Sequence, residues 1–204
     1  MDAFIYNATP SRVIFGSGTL EQIASEVEYL EAEKVLVLTT PFQKEMGEDL
    51  AGRIGTRSVG LYANATMHTP IEVTKDAIEF AKSREADLTI AIGGGSTIGL
   101  GKALTLHAGI PQIAIPTTYA GSEMTPILGQ TENGKKTTLK DDKLRPKTVI
   151  YDVDLTLGLP VEMSITSGLN AIAHAMEAMY AKDQNPVVSL IAEEGIRALG
   201  RALP

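Results

Sequence analysis

Two short runs, Lys34–Thr39 (KVLVLT) and Asp87–Ile92 (DLTIAI), constrain the architecture more than anything else in the chain. Neither alternates apolar with polar residues, so each fits a strand covered on both faces. Helix-patterned stretches lie between and beyond them: Thr19–Leu30, Ile71–Ser83, and a helix that follows the Gly93-Gly94-Gly95-Ser96 segment and runs through Leu106. Arg12–Phe15, Ser58–Tyr62, Gln112–Ile115 and Thr148–Tyr151 read as further strands. Buried strands separated by helices predict an α/β domain on a mostly parallel sheet with both faces covered. Ligands of such sheets sit beyond the carboxyl ends of the strands.

The pattern changes after Asp154. Only helical segments remain, over Ser164–Ala181 and Pro186–Ala202, broken by the turn-forming Asp183-Gln184-Asn185-Pro186. The expected organisation is an α/β domain over residues 1–155, then the first helices of an all-helical domain over 156–204. Two helices build no proper core, so that second domain is expected to be truncated.

Charge and composition exclude several function classes. A net charge of -7 argues against a nucleic-acid partner, because phosphate backbones select basic faces, and against adhesion to an anionic membrane. No cationic segment followed by an apolar core opens the chain, and no apolar run approaches membrane-spanning length, so a cytoplasmic protein is expected. The absence of cysteine removes disulfides, thiolate metal sites and cysteine nucleophiles. Imidazole can come only from His68, His107 and His174.

Three segments can carry chemistry. In residues 87–104 a buried strand runs into Gly93, Gly94, Gly95 and Ser96, which open a helix. Glycines let backbone amides approach a diphosphate, the helix N-terminus adds partial positive charge, and Ser96 can cap the helix or reach a phosphate oxygen. An ordinary tight turn would account for one or two glycines; three with a cap favour phosphate binding. Gly16-Ser17-Gly18 also joins a strand to a helix, but Glu21 stands where the dinucleotide fingerprint has its third glycine, so it reads as a structural turn. In residues 112–126, Thr117, Thr118, Tyr119 and Ser122 offer hydroxyls at the same sheet edge, as a cofactor-holding loop or an ordinary polar one. In residues 149–181, Asn170, His174 and Glu177 fall at helical spacing, with Asn170 and His174 on one face. Asn is a weak ligand for divalent ions, and a lone helical His is more often packed or capped than ligating.

Together these segments resemble the iron-containing (group III) alcohol dehydrogenase family over essentially the whole chain. GGGS at 93–96, PTTYAGSE at 116–123, and Asp152, Pro160 and Glu177 around GLNAIAHA carry the likeness. Asn170 replaces a metal-binding Asp, Gly99 replaces an Asp after GGGS, and Thr40 replaces an acidic residue that grips the adenosine ribose, while His174 keeps a metal-binding His position. With MHTPIEV at 67–73 and YDVDLTLGLP at 151–160, the chain is most similar to the maleylacetate reductase branch.

That resemblance implies a Rossmann-like domain and reduction of maleylacetate to 3-oxoadipate by NADH or NADPH, with no metal required, in the breakdown of aromatic compounds. Thr40 removes a carboxylate that would repel a 2′-phosphate, so use of both nucleotides is expected. Gly93, Gly94, Gly95 and Ser96 are expected at the diphosphate, Thr117, Thr118 and Ser122 on the ribose–nicotinamide side, and Thr39 and Thr40 at the adenosine ribose. His68 aligns with a position near the cofactor. Asn170 and His174 are the candidates for the substrate side, as donors or as an acid. Arg145 and Lys147 are either near a phosphate or carboxylate or a solvated basic pair. The implied partners are a small dicarboxylate substrate and a second copy in a homodimer. A metal-dependent alcohol or aldehyde dehydrogenase, and a cofactor-binding module without turnover, are the rival readings; a chain ending at Pro204 is expected to bind cofactor with little turnover.

Overall fold

The computed structural model describes residues 3–8, 11–132 and 134–203. In chain order its strands are β1 (Arg12–Gly16), β2 (Val35–Leu38), β3 (Ser58–Tyr62), β4 (Leu88–Gly93), β5 (Gln112–Pro116), β6 (Ile127–Glu132), β7 (Lys135–Lys140) and β8 (Thr148–Asp152). Its helices are α1 (Ile23–Tyr29), α2 (Lys44–Ile54), α3 (Ile71–Ser83), α4 (Gly95–Ala108), α5 (Val161–Tyr180) and α6 (Pro186–Ala202). Six strands form one sheet in the order β1-β8-β5-β4-β2-β3, with every pairing parallel. This is the Rossmann-like arrangement that the apolar runs demand, and β2 and β4 are buried along their whole length.

Strand alternation sends successive side chains to opposite faces, and each face has its own core. Val35 and Val37 pack with Ile23, Val27, Leu50 and Ile54, so α1 and α2 cover one side. Leu36 and Leu38 pack with Ala77, Ala81, Ile98 and Leu104, so α3 and α4 cover the other. From the centre, β2 and β3 step toward one edge, while β4, β5 and β8 step toward the opposite one. The segments leaving β2 and β4 therefore part to opposite faces and open a crevice at the strands' carboxyl ends.

Two elements escape the sequence pattern. α2 carries Gly47 and Gly52 and lacks a long apolar stripe. Gly47 is there for space, since an added Cβ would lie 2.7 Å from both Leu61 Cδ1 and Thr39 Cγ2. β6 and β7 form a separate antiparallel hairpin, polar in sequence and exposed along all of β7. Among the described residues its one buried apolar side chain is Leu128, packed with Ala103 and Leu144.

The Gly16–Gly18 corner is a structural turn that holds the protein's own anion. Backbone N–H groups of Gly18 and Leu20 donate to Asp152 Oδ1 (3.1 Å) and Oδ2 (2.9 Å), and Asp154 N–H donates to Oδ1 (3.2 Å). Gly18 takes φ +69, which glycine adopts without strain. Asp152→Asn turns one acceptor oxygen into a donor facing N–H groups. We expect it to lower unfolding stability by about 2 kcal/mol in urea titrations; a change below about 0.5 kcal/mol would show that the carboxylate is dispensable there.

The chain divides into two compact units. Ser11–Gly158 forms the α/β unit, and the residues after Gly158 form a helical unit with those described before Ser11. The break thus falls at Gly158/Leu159 rather than after residue 155, and the N-terminal stretch groups with the helices. Within the helical unit α5 and α6 pack closely, an added Cβ at Gly168 meeting Leu203 Cδ2 at 2.7 Å. Asn185 caps α6 by accepting from Val188 N–H at 3.1 Å. Among the described residues no helix is long and apolar enough to cross a membrane.

Candidate functional site

The glycine corner is built by the turn from β4 into α4. Gly93 takes φ +153, and a Cβ there would lie 2.5 Å from Thr97 Oγ1 and 2.8 Å from Gln43 Oε1. Neither the torsion nor the space admits another residue. Gly94 is the N-cap, with no side-chain cap, and its carbonyl accepts from both Thr97 N–H (3.1 Å) and Ile98 N–H (3.2 Å). The Gly95 and Ser96 amides thus open the helix without intrahelical partners, where partial positive charge is greatest. Here the expected cap is corrected: Ser96 lies inside the first turn, because glycine takes the cap position and lets the helix begin earlier.

A cavity of about 330 Å³ opens beside this corner. His68, Gly95, Ser96 and Ser122, four of the sequence candidates, line it. Thr69, Gly99 and Lys136 of β7 complete the polar lining. His68 and Thr69 both have left-handed backbone, with φ +67 and +46, a strain of about 1–3 kcal/mol per residue. The hairpin fixes this turn: Thr131 N–H donates to Thr69 O at 3.4 Å, and Pro70 bridges Thr131.

Gln43, at the start of the segment into α2, ties the crevice together. Thr40 Oγ1 donates to its Oε1 at 3.1 Å, and its Nε2 donates to Thr117 Oγ1 at 2.9 Å. Thr118 leans on Gly94, its Oγ1 3.1 Å from where a Cβ would stand. Phe42 beside them is 99% exposed and offers an open aromatic face. Thr39 departs from expectation. It is wholly buried, its N–H and C=O bridge Tyr62 and Ala65, and its hydroxyl has no partner among the described residues. Strand alternation turns it toward α2, so it shapes the crossing rather than facing the crevice.

Lys102 holds the segment after β5 in place. Fully buried on α4, its Nζ donates to the carbonyls of Ser122 (2.5 Å), Thr125 (2.8 Å) and Ile127 (2.9 Å). Burial lowers its pKa to about 8, opposed by the Glu123 carboxylate and assisted by Arg145. Tyr151 donates to Glu123 Oε1 at 2.8 Å, and burial with that carboxylate raises its phenol. Arg145 instead pairs with Asp142 and the Met124 carbonyl. Lys147 lines a cavity with Asp87 and Pro111 at the other end of the sheet. Neither basic residue reaches the glycine corner.

Asn170 and His174 are both exposed on α5, in the helical unit, and His174 Nδ1 lies 3.2 Å from Glu177 Oε2. Sequence reasoning missed Gln43, Thr69, Lys102 and Lys136. Lys102 left a signal, a lone charge inside the apolar stretch Thr97–Leu106. Thr69 left a weaker one, just before a proline at a helix start. Gln43 and Lys136 sit in elements whose pattern is not legible, and nothing in the residues singles them out.

The pattern of the family described as Iron-containing alcohol dehydrogenase matches residues 10–153. A maleylacetate reductase of Rhizobium sp. (strain MTP-10005) is 55% identical over 204 residues, covering 100% of this chain and 58% of the relative. One from Burkholderia cepacia is 54% identical over 203 residues, with coverage of 100% and 58%. The crystal structure of maleylacetate reductase from Agrobacterium tumefaciens superposes with a TM-score of 0.98 at 54% identity, over 100% of this chain and 58% of that one. The chain thus spans under two thirds of the length of these relatives. A family pattern covering most of the chain, on a fold and glycine corner of this kind, places it: the chain belongs to the iron-containing alcohol dehydrogenase family.

Proposed function

We propose that the α/β unit holds NADH or NADPH, and that the chain is the nucleotide-holding part of a reductase that converts maleylacetate to 3-oxoadipate. The observation that carries this reading is the Gly93–Ser96 corner, with its two unpaired amides beside a cavity. The Gly95 and Ser96 amides bind the diphosphate, and Gly93 and Gly94 let it approach the backbone. Thr117, Thr118, Ser122 and His68 line the ribose–nicotinamide side, and Lys102 keeps that segment in place. Thr40, aligned by Gln43, meets the adenosine ribose, and its neutral hydroxyl accepts either nucleotide.

When bound, the reduced nicotinamide supplies a hydride. The residues of this chain bind and orient; Asn170 and His174 serve the substrate side as donors, and Glu177 Oε2, 3.2 Å from His174 Nδ1, orients the ring. Maleylacetate presents a carbon–carbon double bond conjugated to a ketone, so charge moves to an oxygen that hydrogen-bond donors can stabilise. Of the two candidates on α5, Asn170 offers only a neutral amide, a weak ligand for a divalent ion. No step is assigned to a metal. A homodimer and a cytoplasmic setting belong to the same reading.

The test has two parts. NADH fluorescence should rise on binding to the chain. NADH oxidation should follow addition of maleylacetate, but not of three-carbon aldehydes, when the chain is joined to the remaining length of the Rhizobium relative. Failure to bind NADH overturns the cofactor assignment, and oxidation with the aldehydes alone overturns the substrate.

A further inference from the structure

We propose that Glu123 is a positioning residue for the segment after β5: its buried carboxylate keeps the Lys102 side chain charged, and only the charged side chain holds Ser122, Thr125 and Ile127 together. The consequence for NADH rests on the nucleotide reading above, in which Ser122 belongs to the ribose–nicotinamide side.

Donor counting carries the first half. An ammonium has three N–H donors and no acceptor. Lys102 Nζ meets three carbonyls, at 2.5 Å (Ser122), 2.8 Å (Thr125) and 2.9 Å (Ile127), and its side chain is fully buried. A neutral amine keeps two donors and turns a lone pair on the third carbonyl. The Thr125 hydroxyl, 3.1 Å from Nζ, donates to Ser122 O and so does not satisfy that lone pair. Ser122 O has the Thr125 N–H and hydroxyl as further donors, so it is the carbonyl that the neutral amine gives up most cheaply. Ser122 is therefore the residue released.

Glu123 supplies the second half. It is 3% exposed; its Oε1 accepts from the Tyr151 phenol of β8 at 2.8 Å, and its buried Oε2 has no partner among the described residues. A buried carboxylate with one oxygen unpaired is costly unless an opposite charge lies near, and Lys102 is that charge. Burial presses the proton off Lys102 and Arg145 adds to it, while Glu123 opposes both, leaving the lysine at about 8. Arg145 is itself offset by Asp142 at 3.6 Å, and Tyr151 acts on Lys102 through Glu123. Among the described residues Glu123 is thus the group that retains the proton.

Nitrogen NMR of the whole chain, labelled at lysine Nζ, tests this, with the Lys102 signal assigned by its loss in Lys102→Met. The midpoint should lie near 8, and the amide signals of Ser122–Ile127 should titrate in step with it. Glu123→Gln keeps an acceptor for Tyr151 but removes the charge, and should lower the midpoint by about one unit. Glu123→Asp, which keeps the charge, should restore most of it. Tyr151→Phe disturbs the anchor and keeps the charge, so it should leave the midpoint in place. NADH affinity, followed by fluorescence, should fall about tenfold from roughly pH 7 to pH 9.5, and in Glu123→Gln the fall should begin about one unit lower. A midpoint unmoved by Glu123→Gln, or moved equally by Tyr151→Phe, overturns the proposal, as do Ser122–Ile127 amides that ignore the lysine's titration. If NADH binds with an affinity that does not follow the lysine, this inference fails and the nucleotide reading stands. If NADH binds at no pH while midpoint and amides move as expected, the nucleotide reading fails and the hold of Glu123 on the segment stands.

Discussion

Lys102→Met is expected to lower unfolding stability by about 3 kcal/mol and to loosen the Ser122–Ile127 segment. The methionine fills the channel but donates nothing, so the carbonyls of Ser122, Thr125 and Ile127 all lose a partner at once. Ser122 O keeps the Thr125 N–H and hydroxyl as donors, so most of the cost falls on the carbonyls of Thr125 and Ile127 and on the lost ammonium, at about 1 kcal/mol or more each. Urea denaturation measures the loss, and hydrogen exchange at Thr125 and Ile127 locates it. Equal stability of variant and unaltered chain would mean that water replaces the ammonium without cost.

The same lysine sets a pH dependence. Its pKa is about 8 in the folded chain against an ordinary 10.5, so between those values the unfolded chain binds more protons. Stability from this group therefore rises with pH across that window, and its burial penalty is fully present below it. Relative to Lys102→Met, the unaltered chain should gain stability between pH 8 and 10.5. A difference that is flat or falling there would contradict the lowered pKa.

Gly93→Ala should weaken NADH binding at least about a hundredfold, since the corner that presents the amides must shift to admit the methyl group. The added Cβ would overlap Thr97 Oγ1 at 2.5 Å and Gln43 Oε1 at 2.8 Å, at φ +153. Moving Gln43 breaks its hydrogen bond to Thr117, so the damage spreads to the second side of the crevice. NADH fluorescence titration reads the affinity, and a melting curve confirms that the variant folds. Binding within threefold of the unaltered chain would remove this corner from the cofactor site.

How legible all this was depended on where burial left a mark. β2 and β4 lie inside a sheet covered on both faces, and that environment writes an unbroken apolar run that is hard to misread. α5 and α6 announce themselves by periodicity and by the Asn185-Pro186 start. α2 does not, because close approach to β3 demands Gly47 where a helix prefers a side chain. The β6–β7 hairpin faces solvent along β7, so neither apolar alternation nor a run records it, though Asn133-Gly134 is a hairpin signal in its own right. The site followed the same rule. The glycine triplet and hydroxyl cluster are local in sequence, so residue type and spacing alone single them out as candidates. Lys136 and Thr69 reach the cavity only through that hairpin and its bridge, so their role exists in three dimensions alone. Thr39 shows the opposite failure: it has the right residue type beside the right strand end, yet its parity turns it into the core.

Parallel pairing at the edge also has a consequence for biosynthesis. β1 is made well before β8, which among the described residues is its only partner in the sheet, with Arg12 opposite Thr148. At about 5–20 residues per second on the ribosome, the nascent strand waits on the order of ten seconds for that neighbour to emerge. Throughout that delay Val13 and Phe15 lack the neighbour they pair beside, and even in the finished fold they stay 44% and 72% exposed.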